Sequence, residues 1–277
     1  MKAMALVTMN FESAYLNSNH EISVILPDKP RTMTPREFFE SGRKYKVLWL
    51  LHGTFGDHSD WIRKSNIELY ACERDLIVVM PSALNSNYSD WPESMMGFNM
   101  FSYLTEELMP LIYNWFPASD KREDNFVAGL SMGGGGTIKY AVNHPDKFAA
   151  AAILSSCARN PHIIDMDDPN PRSKRNIVSV KNAGGLDAYI NSYENVWDKL
   201  KELSNTGTLP RLYFACGKND FLYNDFVSFR KYAESFNLDA TFEEIEGYTH
   251  EWRFWDLTIQ KALTFFGLDQ KDAGNPF

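Results

Sequence analysis

The chain has 277 residues, 44% hydrophobic and 23% charged, the balance of a soluble globular protein with enough length for one large α/β domain. Its formal charge of -8, with no dense Lys/Arg stripe, argues against gripping a phosphate backbone and so against nucleic acid as a partner. The three cysteines, Cys72, Cys157 and Cys216, lie far apart and form no C-x-x-C pair, which suits free thiols in a reducing compartment and speaks against a structural zinc site.

The first ten residues carry no secretory pattern, and no apolar run approaches the length of a membrane span. The expectation is a cytoplasmic protein that uses no membrane. Short apolar runs at 21–26, 46–51, 76–80, 125–129, 148–154, 211–216 and 240–246 read as strands. Helical spacing of apolar residues appears at 103–115, 137–143, 186–203, 226–236 and 252–266. The segment 27–44, rich in Pro, Gly and charge, reads as a loop. Strands apolar on both faces and alternating with helices imply a mostly parallel sheet covered on both sides. Two long connections, 81–102 and 155–185, leave strand carboxyl ends, the edge where open α/β sheets bind ligands.

Gly129-Leu130-Ser131-Met132-Gly133 is a G-x-S-x-G motif between a strand and a helix. That context is the one a nucleophile elbow needs: a sharp turn exposes the serine hydroxyl, and close backbone approach admits only small residues on either side. The glycines at 133–136 are followed by no Lys-Ser/Thr and form no G-x-G-x-x-G, so a phosphate loop does not fit.

On an elbow-type sheet the acid and then the histidine follow the serine in chain order. Of the histidines after Ser131, His144 ends the next helix and His162 lies in the long connection. His250 stands just past the strand at 240–246 and is the expected base. Asp220 follows the strand at 211–216 and is the expected acid, with Asp225 in reserve; Asp239 precedes its strand and lies at the wrong sheet edge. The oxyanion donors expected are the N–H groups of Met132 and of Thr54, or less directly Phe55, in His52-Gly53-Thr54-Phe55-Gly56 after the strand at 46–51. His52 reads as structural.

The segments LLHGTFGDHSDW (50–61), GLSMGG (129–134), CGKNDFLYND (216–225) and GYTHEWRFW (247–255) resemble the esterase D-like family of α/β-hydrolases. The nearest branch in that resemblance is the tributyrin esterase and feruloyl (cinnamoyl) esterase group. S-formylglutathione hydrolases usually carry a cysteine after the oxyanion glycine, where this chain has Thr54-Phe55-Gly56-Asp57. The resemblance implies the α/β-hydrolase fold in one domain over residues 1–277, with a small cap segment at 155–185, and a cofactor-free and metal-free hydrolase of short acyl or hydroxycinnamoyl esters. A thioesterase or an acyltransferase would use the same residues. Phe55, Trp61, Trp91, Phe221, Tyr223 and Trp252 are expected to line the substrate site, since flat aromatic walls suit a phenyl ring. Asp165, Asp167, Asp168, Arg172, Lys174 and Arg175 make the 155–185 connection a polar cover, suited to a sugar-linked leaving group. Homo-oligomerisation is left open.

Overall fold

A computed structural model describes residues 3–94, 96–170 and 173–270. Ten strands follow in chain order: β1 (Ala3–Ser13), β2 (Ser18–Asp28), β3 (Val47–Leu51), β4 (Ile77–Pro81), β5 (Asp90–Trp91), β6 (Phe98–Asn99), β7 (Asn125–Leu130), β8 (Ala150–Leu154), β9 (Arg211–Gly217) and β10 (Ala240–Ile245). Eight form one sheet in the order β1-β2-β4-β3-β7-β8-β9-β10, while β5 and β6 make a separate small hairpin. The β1–β2 hairpin joins antiparallel to β4, and every pairing from β4 to β10 is parallel. This is the α/β-hydrolase fold.

The central strands explain themselves by burial. Every residue of β3, β4, β7 and β8 is buried. Alternation along β3 sends Val47, Trp49 and Leu51 to one core, and Leu48 and Leu50 to the core on the other face. A parallel sheet of this kind is stable only when helices cover both faces. The helices Met132–Asn143, Tyr223–Ser235 and Trp252–Phe265 are among those that do so.

Several expectations need correction. β1 has no counterpart in the sequence reading, because an edge strand with Leu6, Thr8, Asn10 and Glu12 exposed carries a weak apolar signal. Helices Asp60–Lys64 and Ile67–Arg74 fill the unassigned stretch before β4, and the loop at 27–44 holds a short helix, Pro35–Phe39. The helix expected at 103–115 opens at Met100 and passes through a wide π-turn over Tyr103–Leu108, where Met109 N–H bonds Leu104 O. Pro110 accounts for this, since it lacks an N–H and crowds the carbonyl four residues back. The run 186–203 splits into Leu186–Ile190 and Val196–Leu203, the second capped by Asn195, whose side chain accepts from Asp198 N–H. The 155–185 connection is not structureless: it holds a 3₁₀ turn at Pro161–Ile163 and a helix at Lys174–Asn182. Of the charged residues named for it, Arg172 lies outside the described residues.

One buried group sets a pH limit on this fold. His20 on β2 is buried edge-on to Tyr103, with ring centroids 4.9 Å apart, and its Nε2 has no partner among the described residues. Burial pushes its pKa down to about 4. Below its unfolded value, roughly 6.5, the unfolded chain therefore binds a proton that the folded chain does not until pH about 4. Stability that is complete above that unfolded value falls across this window, by about 3 kcal/mol from this residue. Burial shifts His52 in the same direction. Urea midpoints at neutral pH and near pH 4.5 test this: His20→Phe should lose less stability on acidification than the parent chain. An equal loss would remove His20 as a cause.

Candidate active site

Ser131 sits between β7 and the helix Met132–Asn143 with φ +51° and ψ −115°, a backbone conformation that side-chain-bearing residues adopt only under strain. The turn is held by Ser131 N–H bonding Leu154 O at 2.8 Å and Gly135 N–H bonding Ser131 O at 3.0 Å. The flanking glycines are sterically required. A Cβ at Gly133 would stand 2.4 Å from Leu51 O, and one at Gly129 would stand 2.4 Å from Gly133 O. The same close packing starts the helix at Met132, so the glycine cluster lies inside it rather than before the residue 137 expected as its start.

His250 lies in the turn after β10. Its Nε2 is 3.0 Å from Ser131 Oγ, and its Nδ1 is 2.9 Å from Asp220 Oδ2. Asp220 lies just past β9, its side chain fully buried, with Oδ1 accepting Leu222 N–H at 2.9 Å. Burial alone would raise its pKa. The bonds from His250, from Leu222 N–H and from the Ser155 hydroxyl outweigh that and hold it below the usual carboxylate range. Ser155 is fixed in turn by Trp255 Nε1, which donates to its Oγ at 3.0 Å. The ring of His250 packs between Phe221, 4.6 Å away, and the edge of Trp255, 5.0 Å away. Asp225 is exposed in the first turn of its helix and does not meet His250. His162 pairs instead with Asp198, and His144 caps the helix that begins at Met132.

The N–H of Met132 opens that helix, where developing negative charge is favoured. Neither it nor Thr54 N–H bonds an acceptor among the described residues, whereas Phe55 N–H is taken by Asn85 Oδ1 at 2.9 Å. Of the two loop amides, Thr54 is thus the free one. His52 is buried beneath this loop. Its Nδ1 donates to Gly53 O at 2.6 Å and its Nε2 accepts Ala83 N–H at 2.8 Å, so it latches the loop and faces away from chemistry.

Beside Ser131 opens a cavity of about 580 Å³, its mouth included. None of the six aromatic residues expected as its walls lines it. Trp61 is buried in the core, donating to Leu51 O and packed on Trp252 at 5.2 Å. Tyr223 reaches Glu244 on β10, and Trp91 is held half-buried in the β5–β6 hairpin. Phe55 and Phe221 are exposed, the latter against His250. The walls come instead from Met132, Ile138, Cys157, Tyr189 and Val196, with Arg159 and Arg175. The sequence pattern did not reveal these walls, because they come from the loop after β8 and from four separate helices. Burial pushes the Cys157 thiol up to about 12, so it stays neutral and no rival nucleophile to Ser131 arises there.

An α/β-hydrolase sheet with a serine elbow at a strand end defines the class of protein. The family model described as "Putative esterase" matches residues 13–266. An acetyl esterase of Caldicellulosiruptor saccharolyticus is 31% identical over 94% of this chain and 97% of that protein. Among solved structures, the fluorophosphonate-binding serine hydrolase F of Staphylococcus aureus, with substrate bound, is 32% identical at a TM-score of 0.78. That comparison covers 96% of this chain and 99% of the other. An S-formylglutathione hydrolase of Staphylococcus aureus matches at 32% identity and a TM-score of 0.78, over 95% and 99% of the two chains. The chain belongs to the esterase family, and it is a carboxylic ester hydrolase.

Proposed function

We propose that Ser131, His250 and Asp220 act as a catalytic triad in a two-step acyl transfer that needs no cofactor or metal. The observation that carries this reading is the unbroken relay from Ser131 Oγ through the His250 ring to Asp220, at 3.0 and 2.9 Å. His250 Nε2 takes the hydroxyl proton as Oγ bonds to the ester carbonyl carbon. The oxyanion that results is met by the N–H groups of Met132 and Thr54. His250 then protonates the departing alcohol oxygen as the ester bond breaks. In the second step it takes a proton from water, whose oxygen attacks the acyl carbon, and it returns that proton to Ser131 Oγ as the acyl–Oγ bond breaks and the acid leaves. Asp220, ionised and buried, holds Nδ1 protonated and offsets the imidazolium charge.

Short acyl esters suit the small space beside Ser131 that Met132, Ile138, Cys157 and Val196 bound. The acetyl esterase name of one relative supports the same size class. Hydroxycinnamoyl esters, with a sugar-linked leaving group under the 155–185 cover, are the aromatic branch of this reading, supported by the exposed ring of Phe221 against His250. No helix among the described residues is long and apolar enough to cross a membrane. Cys72, Cys157 and Cys216 form no disulfide among the described residues, which suits a reducing, cytoplasmic setting. The 32% identity to a protein titled S-formylglutathione hydrolase favours thioesters as a second reading, despite the absent cysteine after the oxyanion glycine.

Rates on butyryl, octanoyl and feruloyl esters of one alcohol, with a butyryl thioester beside them, test the substrate reading. Octanoyl should not exceed butyryl in kcat/KM, since extra methylenes that extend into water gain none of the ~0.8 kcal/mol that burying each would bring. A preference for octanoyl would overturn the size class, and a dominant thioester rate would move the assignment to the second reading.

A further inference from the structure

The cavity beside Ser131 is charged in an unexpected way. Three cationic side chains, Lys139, Arg159 and Arg175, and one anionic, Glu194, line it, and only one pair cancels. Glu194 is held by Lys139 at 2.9 Å, with both side chains less than a tenth exposed, and Lys139 is further anchored on Ser89 Oγ at 2.6 Å. Arg159 and Arg175 also line the cavity, and neither pairs with a carboxylate among the described residues. Arg159 arrives from the connection after β8 and donates to the side-chain oxygen of Asn176. Arg175 arrives from the helix Lys174–Asn182 and is half-buried.

Such an arrangement costs stability. Two guanidiniums face one space, and Arg175 stands in the first turn of a helix, where the dipole disfavours a cation. Burial and the like charge of Arg159 both disfavour the protonated form of Arg175. The chain as a whole carries -8, so acidic partners are plentiful elsewhere, yet none is supplied here. A planar fork of donors is matched by a carboxylate, which a guanidinium binds through two parallel bonds.

We propose that Arg159 and Arg175 form an anion subsite that selects esters bearing a carboxylate on the acyl or the leaving group, with the ester carbonyl lying at Ser131. This rests on the hydrolase reading above and narrows it to anionic esters. The carboxylate neutralises the pair, and Asn176 holds Arg159 in place to receive it.

Two isosteric pairs test the subsite. On the leaving-group side, 3-butyryloxybenzoate is compared with 3-butyryloxybenzamide. On the acyl side, the phenyl monoester of adipic acid is compared with the phenyl ester of adipamic acid. In at least one pair the carboxylate should exceed its neutral amide by about tenfold or more in kcat/KM, and that ratio should shrink as salt is raised to about 0.5 M. In the Arg159→Gln/Arg175→Gln double variant the same ratio should collapse toward one. A ratio near one in both pairs for the parent enzyme, or a ratio that survives in the double variant, overturns the proposal. Binding of the same four compounds to Ser131→Ala by calorimetry separates this from the hydrolase reading. If the parent enzyme cleaves none of them, that reading fails, and tighter binding of a carboxylate than of its amide still upholds the subsite. Equal binding within both pairs overturns it.

Discussion

Ser131→Ala is expected to lose about 10⁴- to 10⁶-fold in kcat while the fold survives. Alanine keeps the Cβ, so it meets the elbow geometry at φ +51° with no strain that serine does not already bear. The backbone bonds to Leu154 and Gly135 are unaffected. What is removed is one oxygen, 3.0 Å from His250 Nε2, and with it the covalent route. The rate that remains would come from the Met132 and Thr54 amides and from substrate positioning. Turnover and thermal unfolding measured on one preparation decide the matter, together with labelling by a fluorophosphonate. A folded Ser131→Ala protein with substantial activity, or one still labelled, would end the proposed mechanism.

Asp220→Asn should cost roughly 10⁴-fold in kcat, whereas Asp225→Asn should change it by less than about threefold. The asparagine can turn its amide NH₂ toward His250 Nδ1, which forces the proton onto Nε2 and blocks acceptance of the serine proton. It also leaves an imidazolium without its buried counter-charge. Asp225 points to solvent and has no part in this relay. The two variants should be compared by single-turnover acylation with a chromogenic ester. A larger defect in Asp225→Asn would reverse the assignment of the acid.

The three residues proposed as a triad could be picked out before any coordinates because they are punctuation marks of the fold. Ser131 lies in a glycine-bounded turn, and Asp220 and His250 each follow a strand, so chain order and strand ends together narrowed the choice to three positions. Asp220 could be separated from Asp225 on the same ground, by its distance from the end of β9. The edge strand β1 and the helices Asp60–Lys64 and Ile67–Arg74 were not legible, because half-exposed and short elements leave little periodic signal. The aromatic walls failed for a different reason. Trp61 and Tyr223 have the composition of a binding site, but a side chain's direction follows from packing, which turned one into the core and the other toward Glu244.

The sequence by itself determined the parallel sheet, through strands apolar on both faces, and it pointed to the proposed chemistry, through a serine elbow with a candidate acid and base at later strand ends. Only the tertiary structure decided what surrounds that chemistry. Arg159 and Arg175 stand 16 positions apart with no motif between them, as their numbers state. They converge because the connection after β8 and the helix Lys174–Asn182 fold back over the same carboxyl edge of the sheet that presents Ser131. A local pattern can encode a turn or a strand, since neighbours in sequence make it; a cavity wall is made by neighbours in space, and its charge balance exists only once the chain has closed.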